Sequence, residues 1–212
     1  MIGSRTIGEN GIQHVGAEHL VIGPHYHTGL PREDQERAAK EFQELYSAGG
    51  CKSCTVDLNM PKARWQKLLW NGTFNTLCAL TGLDVGQLQS SGGRESLLVP
   101  MMWELISIAK AADGVEWDDA EGLVRKLAYG LPDDTPYRPS MLVDADQGRM
   151  MEVETILGAA VEKGRKAGIG AEKCGVVFEL LKVMQWRNVQ KGLGNVVSVQ
   201  REGSKIDGGH LI

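Results

Sequence analysis

The sequence lacks several features that would assign it to a class of protein at once. Its 212 residues carry 23 basic and 27 acidic side chains, a formal net charge of −4, so the excess of positive charge typical of nucleic-acid-binding domains is missing. No uninterrupted apolar run approaches the ~20 residues that a membrane-spanning helix needs. The opening residues, MIGSRTIGEN, have neither the basic nor the apolar part of a signal peptide. We therefore expect a cytoplasmic protein that binds neither nucleic acid nor membranes.

Cysteine is scarce, and its spacing does not complete a metal site. Cys51 and Cys54 form a single C-x-x-C, while Cys78 and Cys174 lie inside apolar helical patterns. A structural zinc ion takes about four ligands, and the sequence has no second C-x-x-C and no closely spaced Cys/His pair. We expect no metal and interpret Cys51 and Cys54 as ordinary thiols in a loop and a strand. A redox or metal-binding role is the alternative.

The residues that are present divide the chain into two parts. Residues 1–60 indicate short strands around one helix, REDQERAAKEFQELYSAGG, whose apolar positions are Ala38, Phe42 and Leu45. The string IQHVGAEHLVIG indicates a β-hairpin that turns at GAEH, and CTVDL indicates a further strand. Periodic apolar residues then predict helices at roughly 62–81, 95–112, 117–129, 149–167 and 171–190. We expect the glycine-rich tail, residues 192–212, to be flexible.

One of these helices carries an unusual polar stripe in KLLWNGTFN, residues 67–75. On a regular α-helix Lys67, Asn71 and Asn75 would fall within about 80° of one another and span ~12 Å. Asparagine is a poor helix former, and Gly72 costs about 1 kcal/mol in helix propensity, although it would let a ligand or another backbone approach closely. Either the stripe lines a partly dry cleft, or the asparagines hold neighbouring loops and the lysine is solvated.

A second group of polar residues lies in RPSMLVDADQGRMMEVETILG, residues 138–158. Were these residues one continuous helix, Ser140 and Glu152 would stand ~18 Å apart along its axis and could not share a small substrate. If the chain folds back before Gly148, with the long helix starting near Arg149, the two side chains could converge on one pocket. The alternative is a structural role, in which Ser140 or Asp144 caps a helix and Glu152 is solvated.

Together the two motifs resemble ketopantoate reductases. KLLWNGTFN, preceded by RW and followed by ALTGLDVGQL, is similar to the first helix of that family's C-terminal domain, and SMLVDADQGRMMEVETILG is similar to its Ser-Met, Asp, Arg and Glu pattern. The order and separation of the motifs agree as well, and the resemblance covers roughly residues 1–185. It implies an α/β remnant followed by a mostly α-helical domain, a bundle like the C-terminal half of 6-phosphogluconate dehydrogenase.

The resemblance implies three segments with different roles. Residues 1–60 would be the end of a Rossmann-like NADP-binding domain, residues 61–191 an all-helical substrate and catalytic domain, and residues 192–212 the flexible tail. The family reduces 2-dehydropantoate to (R)-pantoate with NADPH, on the route to pantothenate and coenzyme A. We therefore expect a small keto acid as the substrate.

The resemblance also implies roles for five residues. Lys67 would be the general acid, while Asn71, Asn75 and Ser140 would bind the substrate. Glu152 would orient Lys67 and contact the substrate hydroxyl and, weakly, the cofactor. We expect Lys67 and Glu152 on facing helices within about 6 Å, where opposite charges affect each other strongly.

Two departures from the family pattern leave alternatives open. Where the family has a further substrate-side asparagine, TGLDVGQL offers Val85 after Asp84. No G-x-G-x-x-G follows a first strand, so the pyrophosphate site of a dinucleotide cofactor is missing, and we expect a truncated form of the enzyme. The alternatives are a non-catalytic dimerisation or binding module derived from it, and another hydroxyacid dehydrogenase of the same superfamily. A second copy of the chain, bound through the helical domain, is a candidate partner.

Overall fold

The computed structural model describes residues 3–8, 10–15 and 18–203, with the backbone alone for 3–6, 15 and 191–203. The chain divides into two compact units, residues 1–64 and 65–212. Among the residues described, no helix combines the length and the apolar character needed to cross a bilayer.

The described part of the first unit consists of β1 (Gly3–Ile7), β2 (Gly11–Val15), β3 (Leu20–Ile22), α1 (Arg32–Ala48) and β4 (Cys54–Val56), followed by the start of α2 (Met60–Trp70). β1 and β2 form an antiparallel hairpin, whereas β3 and β4 pair in parallel with α1 as the crossover between them. The strand predicted at CTVDL is present as β4. The hairpin predicted at IQHVGAEHLVIG is wrong, because β2 turns back onto β1 around Gly8, which has a φ of 60°.

Helix α1 buries a different face from the one that its apolar residues predicted. Ala39 is its buried residue, and the Gln43 side chain donates from Nε2 to the carbonyl oxygen of Cys54 at 2.7 Å. Phe42 and Leu45, which we expected on the packed side, are 45% and 75% exposed. The two parallel strands are only three residues long, so they offer the helix little surface to cover.

The second unit is helical, which confirms the fold class predicted from the sequence. After α2, its α-helices are α3 (Thr76–Thr81), α4 (Val85–Leu88), α5 (Val99–Asp113), α6 (Ala120–Tyr129), α7 (Ser140–Asp146), α8 (Ala159–Lys166) and α9 (Glu172–Gly203). Three π-helical segments, which we call π1, π2 and π3, occupy Asn71–Asn75, Gln89–Leu98 and Glu154–Gly158.

The C-terminal helix is longer than predicted. The tail expected from residue 192 onwards is helical as far as Gly203, as part of α9. Residues 204–212 lie outside the described residues.

The core of this unit surrounds the rod formed by α2, π1 and α3. Its fully buried side chains include Leu69, Phe74, Leu77, Leu105, Ile108 and Leu157. α3 packs on α7 and α9, α5 packs on α8 and α9, and π1 faces π3. At Gly72, a Cβ would lie 3.0 Å from Cδ1 of Leu105. The close approach that this glycine permits is therefore to a core side chain of α5.

Candidate active site

The polar stripe runs from solvent into the core along the α2–π1–α3 rod. Lys67 lies in the last turn of α2 and is exposed, Asn71 begins π1 and is half-buried, and Asn75 ends π1 and is only 4% exposed. A ligand lying along the stripe would meet a cation in water at one end and an amide in a nearly dry environment at the other. A buried amide gains more from a hydrogen bond to a ligand than an exposed one does, because water does not compete for it.

The middle of the rod is not the regular α-helix that the spacing predicted. From Asn71 to Asn75 the backbone is π-helical, so hydrogen bonds span five residues where an α-helix spans four. The hydroxyls of Thr73 and Thr76 donate to the carbonyl oxygens four residues before them, at 2.5 and 2.8 Å. Angles calculated for a regular helix therefore do not hold across π1. Single-turn π segments of this kind occur frequently at functional sites.

Asn75 connects the stripe to the second polar group. Its Nδ2 donates to Oγ of Ser140 at 3.4 Å, across 65 residues of sequence. Ser140 is the first residue of α7 and is exposed, whereas Pro139 occupies the capping position and no side chain caps this helix. The alternative in which Ser140 caps the helix is thus wrong, and its hydroxyl is accessible beside the buried amide.

The chain folds back between Ser140 and Glu152, as their convergence on one pocket requires. Gly148 adopts a φ of 66° after the end of α7, a conformation that strongly favours glycine. The helix resumes at Val153, later than the start near Arg149 that we expected. Glu152 lies just before this helix and is exposed. A continuous helix through this segment is excluded.

Two contacts hold the fold-back in place. Arg149 donates from Nε and Nη2 to Oδ1 of Asp144, at 2.8 and 2.5 Å, and its N–H donates to the Asp144 carbonyl at 2.8 Å. The N–H of Met151, which is buried, donates to Oε1 of Gln185 in α9 at 2.7 Å. Asp144 therefore forms an ion pair and does not cap a helix. Gln185 was missed from the sequence, since it lies 34 residues downstream and no motif marks it.

Lys67 and Glu152 do not form an ion pair in the part of the chain that the structure describes. Both side chains are exposed. The segments next to them in sequence, π1 and π3, pack against each other. The approach of the two charged groups to within about 6 Å stays a prediction.

After Asn75, the chain continues through the buried residue Cys78 of α3 to Asp84, which caps α4. Cys78 is fully buried, and burial, with a smaller contribution from the Asp84 carboxylate, raises the pKa of its thiol to about 12. Asp84 accepts the N–H of Gln87 at 2.8 Å and caps α4, and the Val85 side chain is fully buried. Asp84 therefore caps α4 and Val85 packs in the core, so neither takes the role of the substrate-side asparagine that the resemblance led us to expect.

The remaining candidate features include none of the five predicted site residues. Within the described ranges, no three His, Cys, Asp or Glu side chains cluster as metal ligands. Cys51 and Cys54 are free thiols, and burial raises the pKa of Cys54. A groove of about 600 Å³ between α8, π3 and α9 is lined by Glu154, Phe178 and Glu179 among others, and by none of the five predicted site residues. We place the candidate site at the stripe, where the polar groups of both motifs meet.

More than half of the sequence matches a known protein family. Residues 59–185 match the family described as Ketopantoate reductase PanE/ApbA C terminal. This match covers more than half of the chain and includes all five predicted site residues. The chain therefore belongs to the ketopantoate reductase family.

Individual relatives agree with this assignment and differ from the chain in length. An uncharacterized protein of Saccharomyces cerevisiae is 31% identical over 206 residues, which cover 91% of this chain and 54% of the yeast protein. The crystal structure of 2-dehydropantoate 2-reductase from Methylococcus capsulatus is 29% identical with a TM-score of 0.72, covering 89% of this chain and 62% of that one. The chain spans about half the length of the curated relatives that it matches.

A further structural neighbour shares the fold alone. D-mandelate dehydrogenase, solved with NADH and anilino(oxo)acetate, is 22% identical with a TM-score of 0.72, and the match covers 83% of this chain and 70% of that one. The helical architecture is therefore common to enzymes with different substrates. The fold alone therefore does not define the substrate of this chain.

Proposed function

We propose that this chain carries the substrate-binding and proton-donating part of an enzyme that reduces 2-dehydropantoate to (R)-pantoate. The observation that supports this most directly is the stripe of Lys67, Asn71 and Asn75, which passes from solvent into the core and is joined to Ser140 by a hydrogen bond. These residues, with Glu152, also lie within the segment that defines the family.

The residue types suit the reduction of a keto acid. When the ketone carbon gains a hydride, its oxygen becomes an alkoxide that takes up a proton. Lys67 donates this proton from Nζ, and its positive charge stabilises the alkoxide as it forms. Asn71 and Asn75 donate amide N–H groups to the substrate's carboxylate and hydroxyl without adding a negative charge of their own. Ser140 donates to the carboxylate from its accessible hydroxyl.

Glu152 fits this site only beside a cation. A carboxylate next to an anionic substrate repels it unless a positive charge compensates. Lys67 is the cation of the stripe, and neither it nor Glu152 is held in another ion pair among the described residues. The proposal therefore requires the two side chains to approach each other around the substrate, where Glu152 orients Lys67.

The hydride needed for the reduction would come from a reduced nicotinamide cofactor, NADPH in our proposal. Binding its pyrophosphate requires a glycine-rich turn between a strand and the N-terminus of a helix. The described residues contain no G-x-G-x-x-G turn of this kind, so they do not fit that part of the cofactor. Apart from the weak contact proposed for Glu152, we assign NADPH binding to no residue of this chain.

Binding of the product tests the substrate site without the cofactor. Titration of the 212-residue chain with pantoate, followed by calorimetry, should show saturable binding that Lys67→Ala weakens. Lys126→Ala is a matched control, because Lys126 is also an exposed lysine in the last turn of a helix and is in no ion pair within the described ranges. Absence of binding to the intact chain, or equal weakening by both variants, would contradict the proposed site.

Catalysis is tested separately, by following NADPH oxidation after ketopantoate is added to the chain. Turnover that Lys67→Ala abolishes would support Lys67 as the general acid. Turnover that appears only when a nucleotide-binding domain is fused ahead of Met1 would support an authentic but incomplete enzyme. No turnover in either form would favour the non-catalytic binding module.

A second candidate is the reduction of a different 2-keto acid. It is favoured by Val85, because this residue is fully buried and apolar at a position where the resemblance implies a polar substrate contact. Competition between pantoate, mandelate and lactate for the same chain separates the two candidates. Tightest binding of pantoate would support the first of them.

A further inference from the structure

The loop that leads towards α7, residues 132–137, packs against the first turn of α4. The N–H group of Val85 donates to the carbonyl oxygen of Tyr137 at 3.0 Å, and the N–H group of Gly86 donates to that of Thr135 at 2.9 Å. The first N–H groups of a helix have no partner within the helix, so the loop supplies acceptors that α4 lacks. A Cβ on Gly86 would lie 2.8 Å from the backbone nitrogen of Thr135. The loop backbone can therefore come this close only to a glycine.

A buried arginine of π2 holds the same loop. Arg94 is 8% exposed and forms an ion pair with Asp133, while its guanidinium carbon lies 4.8 Å from the centre of the Tyr129 ring at the end of α6. Gln89, which is 3% exposed, donates from Nε2 to the carbonyl oxygen of Pro132 at 3.1 Å. Burial of a charged side chain is costly unless the charge is paired. The burial of Arg94 is therefore compensated only while the loop stays in place.

We propose that Gly86 and Arg94 are positioning residues for Ser140, an inference that rests on the proposed function. Only two residues separate Tyr137 from Ser140, and the second of them, Pro139, has a φ of −62° that its ring fixes. A loop that is held at Tyr137 therefore determines where α7 begins. It also determines where the Ser140 hydroxyl lies.

These contacts connect Ser140 to the part of the chain that carries Asn75. α3 directly follows Asn75, and α4 begins after a further three residues. The distance of 3.4 Å between Asn75 Nδ2 and Ser140 Oγ is thus set in two ways, by the packing of α3 on α7 and by the loop on α4 and π2. Loss of the loop contacts would move Ser140 relative to the Asn75 amide. A substrate carboxylate would then lose the Ser140 donor.

A double-mutant cycle on pantoate binding tests this role. Arg94→Gln should weaken pantoate binding about as much as Ser140→Ala does, by up to about tenfold. In the Ser140→Ala chain the same substitution should have little further effect, because the donor that it displaces is already missing. In the Lys67→Ala chain its effect should be undiminished. A merely structural role would weaken binding by the same factor in both chains, and that result would overturn the proposal.

Amide exchange tests the loop contacts in the absence of pantoate. In Arg94→Gln the amides of Val85 and Gly86 should exchange at least about tenfold faster by NMR, because loop carbonyls protect them. The Gln87 amide is the internal control, since it donates to Oδ1 of Asp84 at 2.8 Å and should exchange as before. Unchanged exchange of Val85 and Gly86 would overturn the role of Arg94. Faster exchange in a chain whose wild type does not bind pantoate would support the loop contacts and overturn the proposed function.

A second variant tests the glycine. Gly86→Ala should speed up exchange of the Val85 amide and weaken pantoate binding only while Ser140 is present, because the new Cβ displaces the loop. Gly175→Ala is the matched control, since Gly175 is a helical glycine of α9 whose Cβ would meet nothing within 4 Å. It should change neither measurement. A Gly86→Ala chain that also changes neither would overturn the role of Gly86.

Discussion

Asn75 and Ser140, 65 residues apart in the sequence, are joined by a hydrogen bond of 3.4 Å from Nδ2 to Oγ. The donor is buried and the acceptor is exposed, so the bond lies at the boundary between core and solvent. It is longer than the usual range for an N–H to oxygen bond and correspondingly weak. In the proposed site, a substrate that offers a carboxylate or hydroxyl oxygen would replace this bond at little cost.

This difference in burial predicts different effects for the two alanine variants. Asn75→Ala should lower the free energy of unfolding by about 1 kcal/mol, because it removes a buried polar side chain and its hydrogen bond. Ser140→Ala should change that free energy by no more than about 0.5 kcal/mol, since the side chain is exposed. Both variants should weaken pantoate binding by up to about tenfold. Urea unfolding and calorimetric titration measure the two effects independently, and unchanged binding in Ser140→Ala would remove that residue from the site.

The ion pair between Arg149 and Asp144 predicts an effect on binding without a large effect on stability. Arg149→Ala should lower the free energy of unfolding by less than about 1 kcal/mol, because the Arg149 side chain is 52% exposed and water screens the pair. The loss of free energy of pantoate binding should exceed this loss of stability, because the ion pair holds the fold-back that positions Glu152 relative to Ser140. Pantoate titration of this variant and thermal unfolding provide the measurement.

Arg125→Ala is the control for this effect. Arg125 pairs with Glu121 at 3.0 Å on α6, with both side chains more than 70% exposed. It should cost similarly little stability and leave pantoate binding unchanged. Equal effects of the two variants on binding would mean that the fold-back does not depend on the ion pair.

The contact between Gly72 and Leu105 makes a third prediction, on packing. Gly72→Ala gains helix propensity, yet its Cβ would lie 3.0 Å from a leucine methyl that is fully buried and has little room to move. We expect a net loss of about 1 kcal/mol in the free energy of unfolding. In the double variant with Leu105→Val the loss should be smaller than the sum of the single losses. A more stable Gly72→Ala would show that Leu105 can move aside and that the glycine has another purpose.

The sequence predicts well the features that depend on periodicity and on residue type. The long periodic segments and the stop at Gly49 and Gly50 locate helices because these signals are local. The break at Gly148 follows from the need for a positive φ, which one glycine in a polar segment can satisfy. The hairpin was misplaced because β3 has a parallel partner, β4, that lies beyond α1 in the sequence.

The features that the sequence did not predict depend on long-range contacts, which a local sequence pattern does not indicate. The π turn of Asn71–Asn75 changes which residues hydrogen-bond without changing the apolar pattern. The strands β3 and β4 are short and cover only a small part of α1. Phe42 is therefore exposed, although it belongs to a series of apolar residues. Gln185 holds the fold-back from another helix, and such long-range hydrogen bonds follow only from the packed structure.

The buried thiol of Cys78 predicts how stability depends on pH. Burial raises its pKa from the ordinary value of 9.0 to about 12, so the folded chain holds this proton at pH values where the unfolded chain releases it. The buried thiol therefore makes its full contribution to the free energy of unfolding below about pH 9. This contribution falls by about 1.4 kcal/mol per pH unit as the pH rises towards 12. Urea unfolding at about pH 8 and about pH 10 should show this loss. Cys78→Ala should remove about 1.4 kcal/mol of the difference between the two pH values. An identical pH dependence in the wild-type chain and Cys78→Ala would contradict a strongly raised pKa at this position.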